Sequence, residues 1–286
     1  MEKSRTIDSH TILYGVFGDP IRHSRSPIML NRAFQEAGIN AVYAAFHVRP
    51  DELGNAVRGI RALGYRGINV TIPHKVEVMP YLDAIDEGAR IVGAVNTIVN
   101  EAGKLVGYNT DGIGYVRSLK EETGIVLTGK RVLLLGAGGA ARGVAYALAK
   151  EGVACIYIAN RTKERAIELA ETISAYTKTV GLGLDELGDI VDEVDFVLNT
   201  TSAGMHPHVD ELPMPIELLR AHHLVSDLIY NPRITRFLRE AEAKGARIHG
   251  GLGMFIYQGA YAFEYWTGTP APVAAMRQVV EQSLAE

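Results

Sequence analysis

The sequence has little cysteine, no long apolar run and no excess of charge of one sign. Its single cysteine, Cys155, excludes an intrachain disulfide and favours a reducing compartment. The longest uncharged stretch, residues 248–263, is interrupted by four glycines and Gln258, so it falls short of the roughly 18 apolar residues that a membrane span needs. Residues 1–10 are polar, contain no apolar signal core and are given no role. These absences predict a cytoplasmic protein.

The charge balance argues against a dedicated nucleic-acid binder. The 29 lysines and arginines face 33 aspartates and glutamates, which gives a net charge of −4 with no basic stripe. With 286 residues, 47% of them hydrophobic, the chain can form about two domains with cores of ordinary size. No metal or disulfide is needed to hold such a fold together.

Short β-rich runs alternate with amphipathic runs along the whole chain, which predicts an α/β fold with parallel sheets and helices on both faces. Strands are predicted at residues 12–17, 42–48, 67–71, 97–99, 105–107, 132–135, 155–159, 196–199, 224–229 and 247–249. Helices are predicted at residues 26–37, 51–63, 112–122, 139–150, 163–176, 234–244, 252–266 and 273–285. Ser26 is predicted to cap the first helix, with Pro27 at its first position.

The strongest local motif is a glycine-rich turn between a buried strand and a helix. Residues 132–135 run into Gly136-Ala137-Gly138-Gly139-Ala140-Ala141, a G-x-G-x-x-A pattern. In such a loop the first glycine allows a tight turn, the second lets the backbone approach a pyrophosphate, and the helix N-terminus faces the anion. The motif predicts a dinucleotide site.

The end of the second strand of this unit favours NADP over NAD. An NAD site usually has an aspartate or glutamate there to bind the ribose hydroxyls. This chain has Asn160-Arg161-Thr162 instead, with Arg165 one turn later. A guanidinium can bind a 2′-phosphate through two parallel hydrogen bonds. The structural alternative is an exposed arginine at a helix start.

Four segments of the first half place small polar side chains at or just beyond the carboxyl ends of predicted strands, where α/β sheets bind ligands. The residues concerned are Ser24 and Ser26, Thr71 and Lys75, Asn96, and Asp111. They offer hydroxyls, an amide, an amine and a carboxylate, which suit a small polyhydroxylated acid. Each has a structural alternative, because serines and aspartates also cap helices and most lysines are solvated.

Ordered motifs over residues 15–278 resemble those of the shikimate/quinate dehydrogenase family. Besides the segments above, they are residues 199–205 (NTTSAGM), 227–232 (DLIYNP) and 250–254 (GGLGM) with Gln258. The resemblance implies the NADPH-dependent, reversible reduction of 3-dehydroshikimate to shikimate, on the route to chorismate and the aromatic amino acids. It also implies two domains with a cleft between them. Residues 11–111, joined by helices at about 252–286, would bind the substrate, and residues 112–251 would form a Rossmann-type NADP domain.

The resemblance also assigns site residues. The catalytic pair would be Lys75 and Asp111, either of which can act as the base. The substrate carboxylate would be bound by Ser24 and Ser26, and the rest of the substrate by Thr71, Lys75, Asn96, Asp111, Tyr230 and Gln258. The cofactor would be bound by Gly136, Ala137, Gly138, Gly139, Ala140, Asn160, Arg161, Thr162, Arg165, Thr201, Leu228, Gly251 and Met254. The chain departs from many members at Leu30, where they have histidine, and we expect a packing difference there.

The chemistry needs a proton donor at the oxygen of the reacting carbonyl. The sequence has no zinc motif, so a side chain must supply the proton. Lys75 can stabilise alkoxide charge and exchange the proton, while Asp111 would orient Lys75 and accept a hydrogen bond from the substrate. His206, His208, His222 and His223 lack the partners that a metal site needs, so no metal is expected.

Three alternatives remain from the sequence. A dual-specificity quinate/shikimate dehydrogenase using NAD or NADP would need room for one more substrate hydroxyl. A methylenetetrahydrofolate dehydrogenase would share the two-domain layout and a lysine, but it would leave the serine pair unexplained. A non-catalytic NADP-sensing module would keep the scaffold, although such a module has no need of Lys75 and Asp111. The expected partners are a small-molecule substrate and a second copy of the chain in a homodimer, without nucleic acid or membrane.

Overall fold

The computed structural model describes residues 7–285, which form twelve strands and ten α-helices, besides five short 3-10 helices. The strands are β1 (Ile12–Gly18), β2 (Ala41–His47), β3 (Gly67–Val70), β4 (Ala84–Ile85), β5 (Thr97–Glu101), β6 (Lys104–Tyr108), β7 (Arg131–Leu135), β8 (Cys155–Ala159), β9 (Lys178–Leu182), β10 (Phe196–Asn199), β11 (Leu224–Asp227) and β12 (Arg247–His249). The helices are α1 (Ser26–Glu36), α2 (Leu53–Ala62), α3 (Glu87–Val92), α4 (Asp111–Thr123), α5 (Gly139–Lys150), α6 (Lys163–Ile173), α7 (Leu187–Ile190), α8 (Arg236–Ala243), α9 (Leu252–Thr267) and α10 (Val273–Ala285). Residues 1–6, which are part of the polar N-terminal segment, lie outside the described residues, as does residue 286.

The α/β fold class is confirmed, and every predicted strand and helix is present with its ends shifted by a few residues. β4, α3, β9 and α7 were not predicted from the sequence. All four have six residues or fewer, and β9 also contains a glycine, so their periodicity was too short or too weak to predict them.

The chain divides into two compact units. One comprises the residues up to Thr110 together with those from Gln258 onward, and the other is Asp111–Tyr257. The second division therefore falls inside α9, whose first six residues belong to the second unit.

The first unit contains a mixed six-stranded sheet in the order β2-β1-β3-β5-β6-β4. The prediction of a purely parallel sheet was wrong here, because β5 runs antiparallel to both β3 and β6. The cause is local. Only Ala102 and Gly103 separate β5 from β6, and both have positive φ, 53° and 97°. A two-residue turn of that kind joins antiparallel strands.

The C-terminal residues pack on this first sheet. A Cβ placed on Gly67 would lie 2.0 Å from Nε1 of Trp266, so glycine lets the indole lie directly on β3. The indole Nε1–H donates to the backbone carbonyl of Ile98 at 2.9 Å. The ring of Tyr14 lies between Phe34 and Trp266, with ring centroids 4.8 and 5.0 Å away. These contacts bury one face of the sheet under α9.

The second unit contains a six-stranded parallel sheet in the order β12-β11-β10-β7-β8-β9. This is the doubly wound order of a Rossmann-type domain, in which the order of the strands reverses between β7 and β10. The central strand β7 carries apolar residues that are fully buried from both sides, Val132 to Leu135. Such continuous burial explains why the run contains no polar alternation.

Candidate active site

One edge of the first sheet gathers the predicted substrate residues of that unit. The loop after β1 carries Ser24 and Ser26, and the turn after β3 carries Thr71 and Lys75. Asn96 precedes β5, so it lies at the amino end of its strand, not at a carboxyl end as the sequence analysis assumed. Because β5 is antiparallel to β3, its first residue Thr97 pairs with Asn69 near the carboxyl end of β3. The strand reversal therefore places Asn96 at the same edge.

The two serines differ in their local roles. Helix α1 begins at Ser26, and its N-cap position is Arg25, so the predicted capping role of Ser26 was wrong. The Ser24 hydroxyl oxygen accepts a hydrogen bond from the backbone N–H of Ser26 at 3.3 Å. Proline at the start of the helix leaves one amide fewer to satisfy. Both serines are half-buried.

The turn that carries Lys75 is anchored by the residue before it. The imidazole of His74 is buried, and its Nε2 lies 2.7 Å from the carbonyl oxygen of Val48. The carbonyl of Lys75 accepts a hydrogen bond from the backbone N–H of Val95 at 2.8 Å. The Lys75 side chain itself is half-buried. His74 had no predicted role from the sequence, yet it fixes the backbone beside the predicted catalytic lysine.

The buried side chain of Asn96 has a fixed orientation. Its Oδ1 accepts a hydrogen bond from the backbone N–H of Thr110 at 2.9 Å, and its Nδ2 donates to the hydroxyl of Thr110 at 3.0 Å. A backbone amide can only donate, which determines which end of the Asn96 amide is oxygen. Any further contact through Nδ2 is therefore made as a donor.

In the glycine loop of the second unit, the fold requires glycine at one position but not at two others. Gly136 has φ +111°, and a Cβ there would lie 2.6 Å from the hydroxyl of Thr200. Gly138 has φ −86° and Gly139 has no positive φ, and a Cβ on either would meet nothing within 4 Å. The fold thus requires glycine at position 136 only. The open space beside Gly138 and Gly139 suits the close approach of a ligand phosphate to the backbone.

The loop leads into a helix whose first turn can bind an anion. Helix α5 begins at Gly139, and no side chain caps its N-terminus. The amide groups of a helix start carry partial positive charge and need acceptors. Twelve residues of helix follow, so the dipole is fully developed. A pyrophosphate would satisfy both requirements.

The residues after β8 carry two exposed guanidinium groups. Arg161 and Arg165 are exposed, and neither forms an ion pair with any carboxylate of residues 7–285. Lys163, between them, is paired with Glu186 at 2.7 Å. Asn160 donates to the carbonyl of Thr162 at 2.9 Å, which shapes the turn. The two arginines are therefore the cations in this segment that a phosphate can engage.

A buried polar cluster fixes the ends of β10 and β11. One oxygen of Asp227 accepts hydrogen bonds from Nδ2 of Asn199 at 3.1 Å and the backbone N–H of Ile229 at 3.0 Å. Its other oxygen accepts from the hydroxyl of Thr235 at 2.8 Å. Asn199 Oδ1 in turn accepts from the N–H and the hydroxyl of Thr201. Burial of Asp227 raises the pKa of its carboxyl to about 6, against the lowering effect of these donors.

Of the remaining predicted cofactor residues, Leu228 directly follows Asp227 of this cluster, and the predicted substrate residue Tyr230 lies three positions after Asp227. A Cβ on Gly251 would lie 2.1 Å from the carbonyl oxygen of Leu228, so packing alone demands glycine there. Met254 is partly buried against the core that α4 and α5 cover. The ring of Tyr230 stacks on Phe255, with ring centroids 5.0 Å apart.

The predicted site residues divide between the units. Those in the first are Ser24, Ser26, Thr71, Lys75, Asn96 and Gln258, whereas Asp111 and Tyr230 belong to the second with all of the predicted cofactor residues. Asp111 is buried and is the first residue of α4. The predicted catalytic pair is thus drawn from two units.

The histidine pair of the second unit is engaged in local structure. Nδ1 of His223 accepts a hydrogen bond from the backbone N–H of Arg220 at 3.1 Å, and Nε2 lies 3.0 Å from the carbonyl oxygen of Val191. Burial lowers the pKa of His223, which keeps the ring neutral. No group of metal-ligating side chains occurs within residues 7–285. Over the same residues, no helix is long and apolar enough to cross a membrane.

Three protein-family models together match most of the chain. Residues 16–98 match the shikimate dehydrogenase substrate binding domain, residues 118–215 match shikimate / quinate 5-dehydrogenase, and residues 251–281 match the shikimate 5′-dehydrogenase C-terminal domain. The shikimate dehydrogenase (NADP(+)) of Geobacillus kaustophilus is 51% identical over 276 residues, which cover 95% of this chain and 98% of that protein.

Solved structures agree in fold over nearly the whole chain. A shikimate dehydrogenase in complex with NADP⁺ is 46% identical with a TM-score of 0.91, covering 98% of both chains. The Listeria monocytogenes shikimate 5-dehydrogenase in complex with shikimate and NAD is 40% identical with a TM-score of 0.92, covering 96% of this chain and 98% of that one. A quinate dehydrogenase from Corynebacterium glutamicum in complex with NAD is 32% identical with a TM-score of 0.89, covering 95% and 99%. The chain therefore belongs to the shikimate dehydrogenase family.

Proposed function

We propose that this protein is an NADP-dependent shikimate dehydrogenase, which reversibly reduces 3-dehydroshikimate to shikimate. The observation that carries the proposal is the 51% identity, over 95% of the chain, to a relative named for that activity and cofactor. The aromatic amino-acid pathway follows from the reaction. The predicted catalytic and substrate residues, including Lys75 and Asp111, are all present in the chain.

The second unit has the features that fit NADP. Gly138 and Gly139 leave open space where a side chain would stand, and the uncapped start of α5 faces that space. We assign the pyrophosphate to residues 136–140 and the 2′-phosphate to Asn160, Arg161, Thr162 and Arg165. We assign Thr201, Leu228, Gly251 and Met254 to the nicotinamide side. When bound, NADPH supplies the hydride for the reduction.

Lys75 is assigned the proton transfer. As hydride reaches the carbonyl carbon of the substrate, negative charge develops on the carbonyl oxygen. A lysine ammonium beside that oxygen stabilises the charge and donates the proton that completes the hydroxyl. The buried anchor at His74 and the hydrogen bond from Val95 hold the backbone on both sides of Lys75, so the amine is presented from a fixed turn.

The remaining polar residues are assigned to substrate orientation. Ser24 and Ser26 bind the carboxylate through their hydroxyls, while Thr71, Tyr230 and Gln258 bind ring hydroxyls. Asn96 contributes as a donor, since its Oδ1 is committed to Thr110. Asp111 accepts a hydrogen bond from a substrate hydroxyl and orients the ring against Lys75. Several hydrogen bonds to fixed groups would hold the substrate in one orientation, with its carbonyl aligned for the reaction.

The test is a matrix of initial rates with purified protein, crossing shikimate and quinate with NADP and NAD. We expect kcat/KM for shikimate with NADP to exceed each other combination by about a hundredfold, the discrimination typical of one added polar group or a missing charge partner. Activity confined to that pair supports the proposal. Comparable rates with quinate or NAD would replace it with the dual-specificity enzyme, which the likeness to an NAD-bound quinate dehydrogenase favours as the second candidate.

A third outcome separates catalysis from sensing. If folded protein binds NADPH but turns over neither acid with either cofactor, the enzyme assignment fails and an NADP-sensing module takes its place. Binding is followed by the fluorescence of NADPH, independently of turnover. The presence of both Lys75 and Asp111 supports the catalytic interpretation, because a sensor does not require them.

We also propose that the protein acts as a homodimer in the cytoplasm. The one cysteine, Cys155, is buried, and burial raises the pKa of its thiol, as suits a protein without a structural disulfide in a reducing compartment. Light scattering of the purified protein is expected to give twice the chain mass of 31.1 kDa. A mass equal to one chain would contradict the dimer.

A further inference from the structure

The loop after β10 is held by one fully buried side chain, that of Asn199. Its Oδ1 accepts hydrogen bonds from the backbone N–H of Thr201 at 3.0 Å and from the hydroxyl of Thr201 at 2.7 Å. Its Nδ2 donates to the carbonyl oxygen of Ala203 at 3.2 Å and to Oδ1 of Asp227 at 3.1 Å. These four hydrogen bonds use the full capacity of the amide, two at each end.

The partners of Asn199 determine which end of its amide is oxygen. The backbone N–H of Thr201 can only donate, so the end that faces it is the oxygen. The carbonyl of Ala203 can only accept, so the end that faces it is the nitrogen. Oδ1 of Asp227 also accepts from the backbone N–H of Ile229, so it is an acceptor whether or not the other carboxyl oxygen carries a proton. The direction of the amide is therefore fixed from both ends.

The amide oxygen in turn fixes the proton of the Thr201 hydroxyl. Because an amide oxygen cannot donate, the hydroxyl gives its single proton to Asn199. The hydroxyl oxygen also accepts a hydrogen bond from the backbone N–H of Ala203 at 3.1 Å. A hydroxyl has two acceptor lone pairs, and the partners found among residues 7–285 use one of them. Thr201 can therefore meet a ligand only as a hydrogen-bond acceptor.

Thr201 lies against the dinucleotide loop of its own unit. Strand β10 is parallel to β7, with Asn199 beside Leu135, so the two strands end side by side. A Cβ placed on Gly136 would lie 3.1 Å from Cγ2 of Thr201. Thr201 is half-buried, whereas Asn199 is fully buried. Doubly wound sheets bind dinucleotides at the carboxyl ends of the strands where the strand order reverses, and Thr201 follows one of those ends.

We propose that Asn199 is a positioning residue for the cofactor, acting through Thr201. By holding the hydroxyl proton, Asn199 makes Thr201 an acceptor for the N–H₂ group of the nicotinamide carboxamide. The carboxamide carbonyl is itself an acceptor, so a hydroxyl in this state cannot bind it. Thr201 thus distinguishes the two ends of the carboxamide and orients the group. This inference rests on the proposed function, which assigns Thr201 to the nicotinamide side of NADP.

The test compares NADP with its 3-acetylpyridine analogue, in which a methyl group replaces the N–H₂ and the carbonyl is kept. Calorimetry gives the dissociation constant of each without substrate, so the result does not depend on turnover. We expect the wild type to bind NADP about tenfold more tightly than the analogue, as one net hydrogen bond allows. Thr201→Val removes the hydroxyl but keeps the side-chain shape, and it should reduce this ratio at least about threefold. Thr201→Ser keeps the hydroxyl and should keep the wild-type ratio.

Asn199→Ala and the double variant identify the path of the effect. Without the amide oxygen, the Thr201 hydroxyl can turn and donate to the carbonyl of the analogue, so the ratio should narrow at least about threefold. If Asn199 acts through Thr201, Asn199→Ala will have no further effect on the ratio once Thr201 is valine. Multiplicative effects of the two changes would overturn the proposal. A packing defect alone would weaken the binding of both cofactors equally, and the resulting wild-type ratio would also overturn it.

Two further variants support the comparison. Should Asn199→Ala fail to fold, Asn199→Asp keeps the side-chain shape and the acceptor that faces Thr201, so it should keep the wild-type ratio. A narrowed ratio in Asn199→Asp would then count against the proposal. Thr179→Val is the matched control for Thr201→Val: Thr179 is a half-buried threonine on β9 of the same unit, and its hydroxyl donates to the carbonyl of Ala170 at 2.7 Å. Its variant should keep the wild-type ratio.

Failure of this inference and failure of the proposed function give different results. Wild-type protein that oxidises shikimate with NADP but binds NADP and the analogue equally well refutes the role of Asn199 alone. The same conclusion follows if Thr201→Val keeps the wild-type ratio. Wild-type protein that binds NADP without shikimate turnover refutes the proposed function, and the binding ratios then decide the role of Asn199 separately.

Discussion

At the scale of single residues, Lys75 gives the most direct test of the chemistry. Lys75→Ala is expected to reduce kcat at least about a hundredfold, or roughly 3 kcal/mol, because it removes both the proton donor and the charge that stabilises the oxyanion. NADPH affinity should be unchanged, since the predicted cofactor residues all belong to the other unit. Steady-state rates and a fluorescence titration measure the two quantities separately.

Lys104 provides the control for this substitution. It is an exposed lysine on β6 of the same unit, and Lys104→Ala removes the same charge away from the predicted site residues. Its kcat should equal that of the wild type. A Lys75→Ala enzyme with kcat close to that of the control would show that Lys75 is not the proton donor.

The role of a single residue could be predicted from the sequence where its chemistry within a motif points to one kind of ligand. Arg161 in place of an acidic residue predicted NADP, and the cofactor named for the 51% identical relative agrees with it. Ser26 shows the opposite case. Its position before Pro27 predicted an N-cap, whereas the helix starts one residue earlier and Arg25 takes that position. Where a helix starts depends on the backbone angles of its flanking residues, which a serine–proline pair does not determine.

At the scale of elements, a substitution in the glycine loop before α5 should affect NADP binding without lowering the stability of the fold. Gly138→Ala is expected to leave the free energy of unfolding unchanged or to raise it by about 0.5 kcal/mol, because its backbone is accessible to alanine and its Cβ meets nothing. The same methyl group would stand where the pyrophosphate approaches. KM for NADP should therefore rise at least tenfold, as measured by initial rates beside a urea unfolding curve.

Gly188→Ala is the matched variant for the loop. Gly188 lies in α7 of the same unit, has no positive φ, and a Cβ there also meets nothing within 4 Å. Its stability should change as in Gly138→Ala, but its KM for NADP should stay at the wild-type value. Equal KM values in the two variants would mean that the cofactor does not approach position 138.

Elements were predicted well where the hydrophobic period extends over several residues. The buried run of β7 and the amphipathic run of α5 each identify their own conformation. The pairing of β5 could not be obtained in this way, because strand direction depends on its partners. Because β5 is antiparallel to its neighbours, as the two-residue turn at Ala102 and Gly103 requires, Asn96 lies at the edge of the sheet that carries the other predicted substrate residues of this unit.

At the scale of the whole molecule, the pH dependence of stability should reveal the buried Asp227. Its pKa of about 6 lies above the unfolded value of 3.8, so the stability associated with its protonated form is present below pH 3.8 and is lost as the pH rises through 6. The loss amounts to about 3 kcal/mol. Asp227→Asn cannot ionise, so its stability relative to wild type should increase between pH 4 and pH 7, as measured by urea unfolding.

Asp195 supplies a control of opposite sign. Burial acts to raise its pKa, but hydrogen bonds from the backbone of Arg131 and from Lys130 outweigh it and leave the pKa lowered. Its contribution to stability is therefore present above its unfolded pKa and lost as the pH falls. Asp195→Asn should lose stability relative to wild type as the pH rises from 2 to 5. A difference between Asp227→Asn and wild type that does not vary with pH would contradict the assigned ionisation of Asp227.

The sequence by itself determined what depends on neighbours along the chain. Hydrophobic periodicity determined the strands and helices, the loop at Gly136 predicted a dinucleotide site, and the motifs with Lys75 and Asp111 determined the family. These signals are local, because each depends on residues that are close together in the sequence.

Only the tertiary structure decided which polar side chains share hydrogen bonds. Tyr43 and Asn69 are 26 residues apart and belong to strands separated by β1, and no spacing rule predicts that a phenol on one meets an amide on the other. Asn199 and Asp227 at the ends of two strands of the second unit, and Thr235 before α8, come together in the same way. The physical reason is that a buried polar group must find a partner, but the order and direction of the strands decide which one is within reach.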